Sequence, residues 1–456
     1  MAEETLHSRT IGFMPEDRPP PLATLSLGAQ QVLTMFPATV VVAVLTKFDV
    51  GVTLAASGLG TIIALLVSKR RIPMYYGSSF SYIAVIVAAM KLYDPGCFDD
   101  PTTVYCAEGV KIVQVGIIGT GLLEIAIGLV IMRLGRQALD RVLPPIVTGS
   151  VAVVIGIALA GAALDMAANH WGAAFVTLVA TIVCSVYLRG RGLMGMLPVL
   201  LGAIVGYAVA FALGLVDLTR VGEAAWLAAP PFTLPAFGDP RAWASIMGIA
   251  LIAVATIPES TAHLYQMSLY IDRLAHDLGR PAPAIKNLIG LNLVADGCDD
   301  LVVGCLGGCA GTNYGENNSL MAITRNYSVP VLLCAGGIAI ALGFVGKLAA
   351  LVNTIPVAVT GGLAIYLFGV IGMQGIALMQ SERVDLFDPR QLALGATILI
   401  LGIGGNLRLP NGYFPVTIPW AFPDGIPAIV FAALVGIALN ALFVLVPARG
   451  VGSVEA

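Results

Sequence analysis

The sequence predicts an all-α protein that crosses a membrane many times and is built from two inverted copies of one seven-segment unit. Three observations predict this fold. Of the 456 residues, 58% are hydrophobic and only 11% are charged, whereas soluble domains carry charge on about a quarter of their residues. Fourteen stretches are apolar and close to the length that crosses a bilayer, and short motifs recur in the same order in the two halves.

A helix needs about 20 mostly apolar residues to cross the hydrocarbon core of a bilayer. The predicted spans, numbered 1 to 14, are 23–46, 50–68, 74–91, 112–132, 143–163, 171–188, 194–215, 242–268, 284–303, 305–324, 329–349, 355–379, 391–405 and 425–446. Because their number is even, both termini are expected on the same side of the membrane.

The positively charged residues indicate which side that is. With both termini in the cytoplasm, 17 of the 24 Lys and Arg residues fall in cytoplasmic segments and 7 fall outside, as the positive-inside rule requires. The polar start of the chain has no apolar stretch of the kind found in cleavable signal peptides. Residues 1–22 and 447–456 are therefore predicted to be cytoplasmic tails of a multi-pass protein of the inner (plasma) membrane.

Cysteines are divided between one loop and the apolar spans. Cys97 and Cys106 lie in the loop between spans 3 and 4, outside the cytoplasm, where a disulfide or two free thiols are both open. Cys298, Cys305 and Cys309 lie in or beside apolar spans. We expect these three to be small buried side chains and predict no metal site, because no histidine stands at metal-ligand spacing from them.

Short motifs recur in the two halves of the chain. The paired stretches are "MFPAT" at 35–39 and "TIPES" at 256–260, "MYYGSSFS" at 74–81 and "TNYGENNS" at 312–319, and "PPIVTG" at 144–149 and "PVAVTG" at 356–361. Since seven is odd, the second copy of a seven-span unit enters the membrane in the opposite orientation. Many secondary transporters share this plan, with the substrate site near the midplane at interrupted helices.

Spans 3 and 10 are predicted to be the interrupted ones. Each places glycine next to polar residues, in "YGSS" and "YGEN", and this disfavours a continuous helix. Exposed backbone groups at membrane depth are tolerated only beside a cavity or packed protein. The two stretches are therefore predicted to be extended chain that lines a site.

Ionisable residues within spans are costly and usually functional. Glu259 and His263 in span 8 are four residues apart, so they share one face of a helix. A carboxyl group shielded from water can exchange a proton in the working pH range, and the imidazole can hold that carboxyl or share its proton. The alternative is a structural pair that locks helix packing.

Glu316 follows Gly315 in the interrupted part of span 10. Its carboxylate can accept hydrogen bonds from the ring N–H groups of a flat heterocycle, while neighbouring backbone N–H groups bind the carbonyl oxygens. The alternative is that Glu316 stabilises the start of a half-helix near Asn318, because acids favour helix N-termini. Asn317 is interpreted as a structural cap rather than a ligand contact.

The remaining acids in spans are interpreted as structural. Glu124 has no ionisable neighbour at helical spacing, and Asp296, Asp299 and Asp300 are expected to be solvated or to cap a helix. The sequence contains no Walker loop, Rossmann fingerprint, HExxH or GxSxG motif, so it lacks the usual signals of nucleotide, zinc and serine-hydrolase sites. No cofactor is predicted.

The sequence resembles the nucleobase–ascorbate transporter family, and within it the bacterial uracil:proton symporters, from about residue 20 to residue 445. The stretches that carry the resemblance are "IPMYYGSSFSYI" at 72–83, "PESTAH" at 258–263, "TNYGENNSLMAITRNYS" at 312–328 and "VGKLAALVNTIPVAVTGG" at 345–362. It implies a core domain (23–142 and 242–354) and a gate domain (143–241 and 355–446), with short antiparallel strands in spans 3 and 10. Substrate is expected between those strands.

The resemblance also implies roles for individual residues. Glu259 and Glu316 would bind the substrate through their carboxyl groups. Phe80 and Gly315 would bind it through their backbone groups, and Tyr314 and Ala38 would line the pocket. Glu259 and His263 would belong to the proton-coupling network, with Asn317 and Ser319 in support. Family members that prefer xanthine or urate tend to carry Gln at the position of Glu316, so Glu316 favours uracil.

Two positions depart from the family pattern. The family usually has Gly where Ser319 stands, and the related uracil carriers have Gly where Pro37 stands.

The expected function is a proton-coupled importer of uracil or a close analogue, in which the core domain moves against the gate domain as an elevator. Its expected partners are a nucleobase, protons, lipid and a second copy of the chain, without nucleic acid. The rivals are a purine (xanthine, urate or guanine) symporter, an anion carrier or channel of the related fold and, remotely, a membrane-embedded enzyme.

Overall fold

The computed structural model describes residues 12–100, 103–135, 141–188, 194–195, 197–409, 412–418, 422 and 425–446. The helices of the first half are α1 (Pro21–Thr46), α2 (Val50–Val67), α3 (Ile83–Tyr93), α4 (Pro95–Phe98), α5 (Ala107–Leu134), α6 (Pro145–Ala158), α7 (Ala160–Ala168), α8 (Trp171–Tyr187), α9 (Pro198–Ala212) and α10 (Thr219–Glu223).

The second half is also mainly helical. Its helices are α11 (Pro240–Ile249), α12 (Ala253–Asp277), α13 (Ile289–Leu306), α14 (Gly315–Thr324), α15 (Val329–Gly343), α16 (Gly346–Val352), α17 (Val357–Ser381), α18 (Pro389–Leu399), α19 (Gly405–Arg408) and α20 (Ala428–Leu445). The strands are β1 (Tyr76–Ser78), β2 (Gly311–Asn313), β3 (Tyr413–Phe414) and β4 (Ile426–Pro427).

Helix length supports many membrane crossings but not the predicted count of fourteen. Among the described residues, seven helices are long and apolar enough to span a bilayer, and an eighth is added if the bent pair Pro240–Ile252 and Thr256–Asp277 is one span. Shorter apolar helices account for parts of spans 3, 6, 7 and 11. Span 3 is short as a helix because its first residues form strand β1.

The two halves pack in equivalent pairs. Helix α2 (span 2) packs on α15 (span 11), and α5 (span 4) packs on α13 (span 9). In a seven-plus-seven repeat, spans 2 and 4 correspond to spans 9 and 11, so these two pairs are equivalent. Each crossing is made by facing glycines whose added Cβ would press on the partner's backbone: Gly51 with Gly343, Gly58 with Gly336, Gly121 with Gly297, and Gly128 with Gly290. Small residues let membrane helices approach closely in this way.

Replacing Gly336 by Ala is expected to destabilise the protein by ~1–3 kcal/mol, the usual cost of overpacking. An added Cβ would lie 2.8 Å from the carbonyl oxygen of Gly58. Gly337→Ala in the same helix is the matched control, because a Cβ there meets nothing within 4 Å. Thermal unfolding of the two variants in detergent measures the difference, and equal midpoints would contradict the close crossing of α2 and α15.

The helices form two packing groups. In one group, α5 and α13 pack together, α2 contacts α13 and α15, and α1 packs on α15. In the other, α17 packs on α6, α7 and α8, and α18 packs on α6 and α20. The groups meet where α12 contacts α6 and where the short 3-10 turn Phe80–Tyr82 contacts α6 and α17. This turn follows strand β1, so the interrupted span 3 faces the second group.

The predicted antiparallel strands in spans 3 and 10 are confirmed. Tyr76 pairs with Asn313, and Ser78 pairs with Gly311. Both strands are buried throughout, and the backbone N–H of Tyr314 continues the pairing to the carbonyl oxygen of Tyr75 at 2.9 Å. The backbone N–H and C=O groups of the two interrupted spans therefore find hydrogen-bond partners inside the protein, as they must in the membrane interior.

The helix of span 10 begins earlier than predicted. It starts at Gly315 and not near Asn318, because Tyr314 is already in the extended conformation that precedes a helix. The polar run that suggested extended chain is compatible with a first helical turn. The Asn317 side chain donates hydrogen bonds to Gln31 on α1, at 2.7 Å to Oε1 and 3.0 Å to the carbonyl oxygen, and so does not compete with its own helix backbone.

The loop between α3 and α5 holds the one disulfide among the described residues. Cys97 and Cys106 are bonded, and Lys47 Nζ donates to the carbonyl oxygens of Cys97 and Asp100 at 3.0 and 2.6 Å. Cys309 is buried as predicted and Cys298 is half-buried. The prediction is wrong for Cys305, which is exposed, because it lies on a face of α13 that the described helices leave uncovered.

Candidate functional site

Helix α12 connects to both interrupted spans. Near its start, Glu259 Oε2 accepts a hydrogen bond from the Ser81 hydroxyl at 3.1 Å, in the turn that follows β1. One helical turn later, His263 Nδ1 lies 2.9 Å from the carbonyl oxygen and 2.9 Å from the side-chain Oδ1 of Asn313, the last residue of β2. The two residues predicted to share a helix face therefore contact the turn that follows β1 and the last residue of β2.

The contacts of His263 determine where its second nitrogen points. Because both partners of Nδ1 are oxygen acceptors, Nδ1 carries the proton in the neutral ring and Nε2 has its lone pair free. A Cβ added to Gly315 would lie 2.7 Å from Nε2. The ring therefore faces the first residue of α14, and glycine at this position permits the close approach.

Asn313 is held by a polar network that sequence reasoning missed. Its Nδ2 donates to Ser260 Oγ at 2.7 Å, and Asn292 Nδ2 donates to the same oxygen at 2.7 Å. Asn313, Ser260 and Asn292 are all fully buried. This network fixes the Asn313 side chain, and through it the orientation of the His263 ring.

Glu316 lies in the first turn of α14. Its residue is exposed, whereas Glu259 and His263 are half-buried, and Glu259 is close enough to interact electrostatically with both. The first N–H groups of a helix lack partners within it, and the first such bond in α14 is from Asn318 to the Tyr314 carbonyl at 3.2 Å. A carboxylate and free N–H donors therefore stand side by side at the start of α14.

Tyr314 and Ala38 pack beside this helix start. Both are almost fully buried, and the Tyr314 hydroxyl lies 2.9 Å from Thr39 Oγ1 and donates to the Ser78 carbonyl oxygen at 2.8 Å. The Tyr314 ring stacks on Tyr75 with centroids 6.4 Å apart. These contacts tie span 1 to strand β1 and to the residue that precedes α14.

The other candidate residues occupy different surroundings. Phe80 is half-buried in the turn after β1, and Pro37 is buried inside α1. The Ser319 hydroxyl donates to the Gly315 carbonyl oxygen one turn earlier in α14, at 3.0 Å. Ser319 therefore contacts its own helix, although Gly is usual in the family at this position.

The prediction that Asp296, Asp299 and Asp300 are solvated or cap a helix is wrong. All three are at most 1% exposed. Asp300 accepts hydrogen bonds from the Gly311 backbone at 2.7 Å and from the Tyr82 hydroxyl at 2.9 Å, and these partners belong to other elements. The spacing of the three acids along span 9 gives no sign of partners on other elements, so the sequence suggested that they face solvent.

A model of the permease family matches residues 22–409 of the sequence. Among individual proteins, the uracil permease of Bacillus caldolyticus is 37% identical over 436 residues, which cover 93% of each chain. The uracil permease of Bacillus subtilis (strain 168) is 33% identical over 453 residues, which cover 95% of this chain and 96% of that one. These relatives are transporters and not enzymes, as predicted.

A solved structure gives the same fold. The transmembrane domain of a cyanobacterium bicarbonate transporter matches with a TM-score of 0.59, covers 94% of this chain and 100% of its own length, and is 15% identical. At that identity the likeness shows the seven-plus-seven inverted-repeat architecture alone. The family match, the relatives and the strand pair agree: the chain belongs to the permease family, the nucleobase–ascorbate transporters that its motifs resemble.

Proposed function

We propose that the protein imports uracil, or a close pyrimidine analogue, together with protons. The observation that carries this proposal is the placement of Glu259, His263 and the first turn of α14 around one strand pair. The names of the two relatives support uracil as the substrate. The combination supplies what a nucleobase site needs, which is a small number of oriented polar groups.

The chemistry of uracil fits these groups. Uracil is a flat ring with two N–H donors and two carbonyl acceptors. The Glu316 carboxylate and an oxygen of the Glu259 carboxyl group accept from ring N–H groups, and the unpaired N–H groups of the first turn of α14, together with the backbone near Phe80, donate to its carbonyl oxygens. The charge-assisted hydrogen bond to Glu316 is stronger than a neutral one.

Proton coupling is assigned to Glu259 and His263. Moving a charged carboxylate through an apolar barrier is costly, so a proton on Glu259 lowers the energy of the conformational change. His263 Nε2 has its lone pair free near Gly315 and so offers a second position for the proton. An inward proton gradient then favours the loaded state in which Glu259 is protonated, and biases transport inward.

The moving parts are proposed from the two packing groups. The core domain (23–142 and 242–354) contains α5 packed on α13 and α2 packed on α15, and the gate domain (143–241 and 355–446) contains α6 packed on α17. The core is proposed to move as an elevator against a gate that dimerises with a second copy. Both termini are proposed to lie in the cytoplasm, because most Lys and Arg residues then fall on that side.

Uptake of radiolabelled uracil into proteoliposomes tests the proposal. With the outside more acidic than the inside, we expect accumulation that a protonophore abolishes and that unlabelled uracil competes away. Protein-free liposomes are the control. Gradient-dependent uptake of xanthine without uracil would show a purine carrier, and an electrogenic current carried by bicarbonate or chloride without nucleobase uptake would show an anion carrier. Either result would contradict the proposal.

A further inference from the structure

Four carboxyl groups lie buried where α13 packs against α5, α2 and the strand pair, with Asp299 facing Gly60 of α2. They are Glu124 on α5 and Asp296, Asp299 and Asp300 on α13, and each is at most 1% exposed. We call them the buried carboxyl cluster. None of them has a role in the ligand site described above, although Asp296 is within electrostatic range of Glu259.

Several oxygens of the cluster have no hydrogen-bond partner among the described residues. They are Glu124 Oε2 and both carboxyl oxygens of Asp299, whereas the carboxyl group of Asp296 lies beside the hydroxyls of Ser260 and Thr312. The hydroxyl of Tyr76, in strand β1, is a second and independent example. It is fully buried and has no hydrogen-bond partner among the described residues. Tyr76 is within electrostatic range of Asp296 and Asp299. Buried polar atoms are normally paired, so these atoms indicate a bound species.

No positive side chain faces the cluster among the described residues. The titratable groups around it are Tyr75, Tyr76, Tyr82, Cys298 and Glu259. Helix α2 carries no titratable residue, and the other charged residues of α5 stand near its two ends. His263 on α12 is bonded to Asn313. Four ionised carboxylates in such surroundings would be very costly, so the cluster must be neutralised.

Protons satisfy the geometry better than a metal ion. A calcium or similar ion gathers six or more oxygens within about 2.3–2.6 Å. Within the described part of the chain, the one group of three His, Cys or carboxylate ligand atoms that lie within 4.8 Å of one another is Asp94, Cys97 and Cys106, and those cysteines form the disulfide. No three residues of the cluster bring carboxyl oxygens within 4.8 Å of one another, whereas a proton needs only one or two of these oxygens.

We propose that the buried carboxyl cluster is a second proton-binding site, coupled to the ligand site through strand β2. Asp300 accepts from the Gly311 backbone at 2.7 Å, and Asp296 accepts from Thr312 Oγ1 at 3.2 Å, so Gly311 and Thr312 join the cluster to Asn313, the next residue of β2, and through it to His263. A shift of β2 on ligand binding changes these hydrogen bonds and with them the proton occupancy. This coupling rests on the proposed uracil site, but the bound protons do not.

Infrared spectroscopy tests the bound protons without reference to transport. Protonated carboxyl groups give a C=O stretching band separate from that of carboxylates. We expect this band at neutral pH in the lipid-reconstituted protein, and a loss of about one carboxyl's intensity in Asp299→Asn.

Glu124→Gln is the second variant in case Asp299→Asn fails to fold. Glu108→Gln, with a 77% exposed side chain paired to Lys111, is the control and should leave the band unchanged. An unchanged band in Asp299→Asn and Glu124→Gln, or a sodium-dependent carboxylate band, would overturn the proposal.

Proton exchange on ligand binding tests the coupling. In weakly buffered solution, addition of uracil to the detergent-solubilised protein should change the number of bound protons, and the change should differ between the wild type and Asp299→Asn at equal uracil saturation. An identical change in both would overturn the coupling. If the wild type binds no uracil, the proposed function fails instead, and the infrared result decides the proton site on its own.

Discussion

Replacing Glu316 by Ala is expected to weaken uracil binding by about 10- to 100-fold. A hydrogen bond to a charged group contributes ~1.5–3 kcal/mol, and 1.4 kcal/mol corresponds to a tenfold change in affinity. The same substitution should change the folding stability of the protein little, because Glu316 is exposed at the start of α14. Isothermal titration of the purified variant with uracil measures the change.

Two further variants sharpen this prediction. Glu316→Gln retains an acceptor oxygen without the charge, so its loss for uracil should be smaller, and its discrimination against xanthine should weaken. Glu108→Ala is the control, because it removes a carboxylate at the exposed start of α5 and should leave affinity unchanged. Uracil affinity of Glu316→Ala equal to that of the wild type would remove Glu316 from the site.

Replacing Glu259 by Gln is expected to abolish accumulation of uracil driven by a proton gradient. Gln has nearly the same shape and still accepts the hydrogen bond from Ser81, but it cannot take up a proton. Exchange of labelled for unlabelled uracil across the membrane, which needs no net proton movement, should persist at a reduced rate. Parallel uptake and exchange assays in the same proteoliposomes separate the two effects.

The control for this variant is Ser81→Ala, which keeps the carboxyl group and removes its hydrogen bond. It should weaken coupling only partly, and its uptake should still respond to the gradient. Full gradient-driven accumulation in Glu259→Gln would place the coupling proton elsewhere, and the buried carboxyl cluster would then be the next candidate.

The architecture could be predicted from the sequence because it depends on local patterns. Glycine beside polar residues at 76–79 and 314–317 marked the two interruptions. Strand β1 lies at the first, whereas β2 ends at Asn313, just before the second, where α14 begins. The spacing of Glu259 and His263 correctly placed them on one face of α12. The repeated motifs indicated two related halves, which agrees with the equivalent helix pairs α2–α15 and α5–α13.

The parts that were missed depend on contacts between distant segments. The partners of His263 and Glu259 are Asn313 and Ser81, which lie 50 and 178 residues away from them, and a helical pattern gives no sign of such pairs. Asp299 and Asp300 lay near the predicted end of span 9, which suggested solvent. Helix α13 in fact continues to Leu306, and the strands and α5 cover these acids.

A structure of the protein with uracil bound in a lipid environment tests the central claim most directly. We predict the base beside the strand pair, with one ring N–H within hydrogen-bond distance of Glu259, another at Glu316, and a carbonyl oxygen at the first N–H groups of α14. A base bound away from both carboxylates, or a strand pair separated from it by packed side chains, would contradict the account.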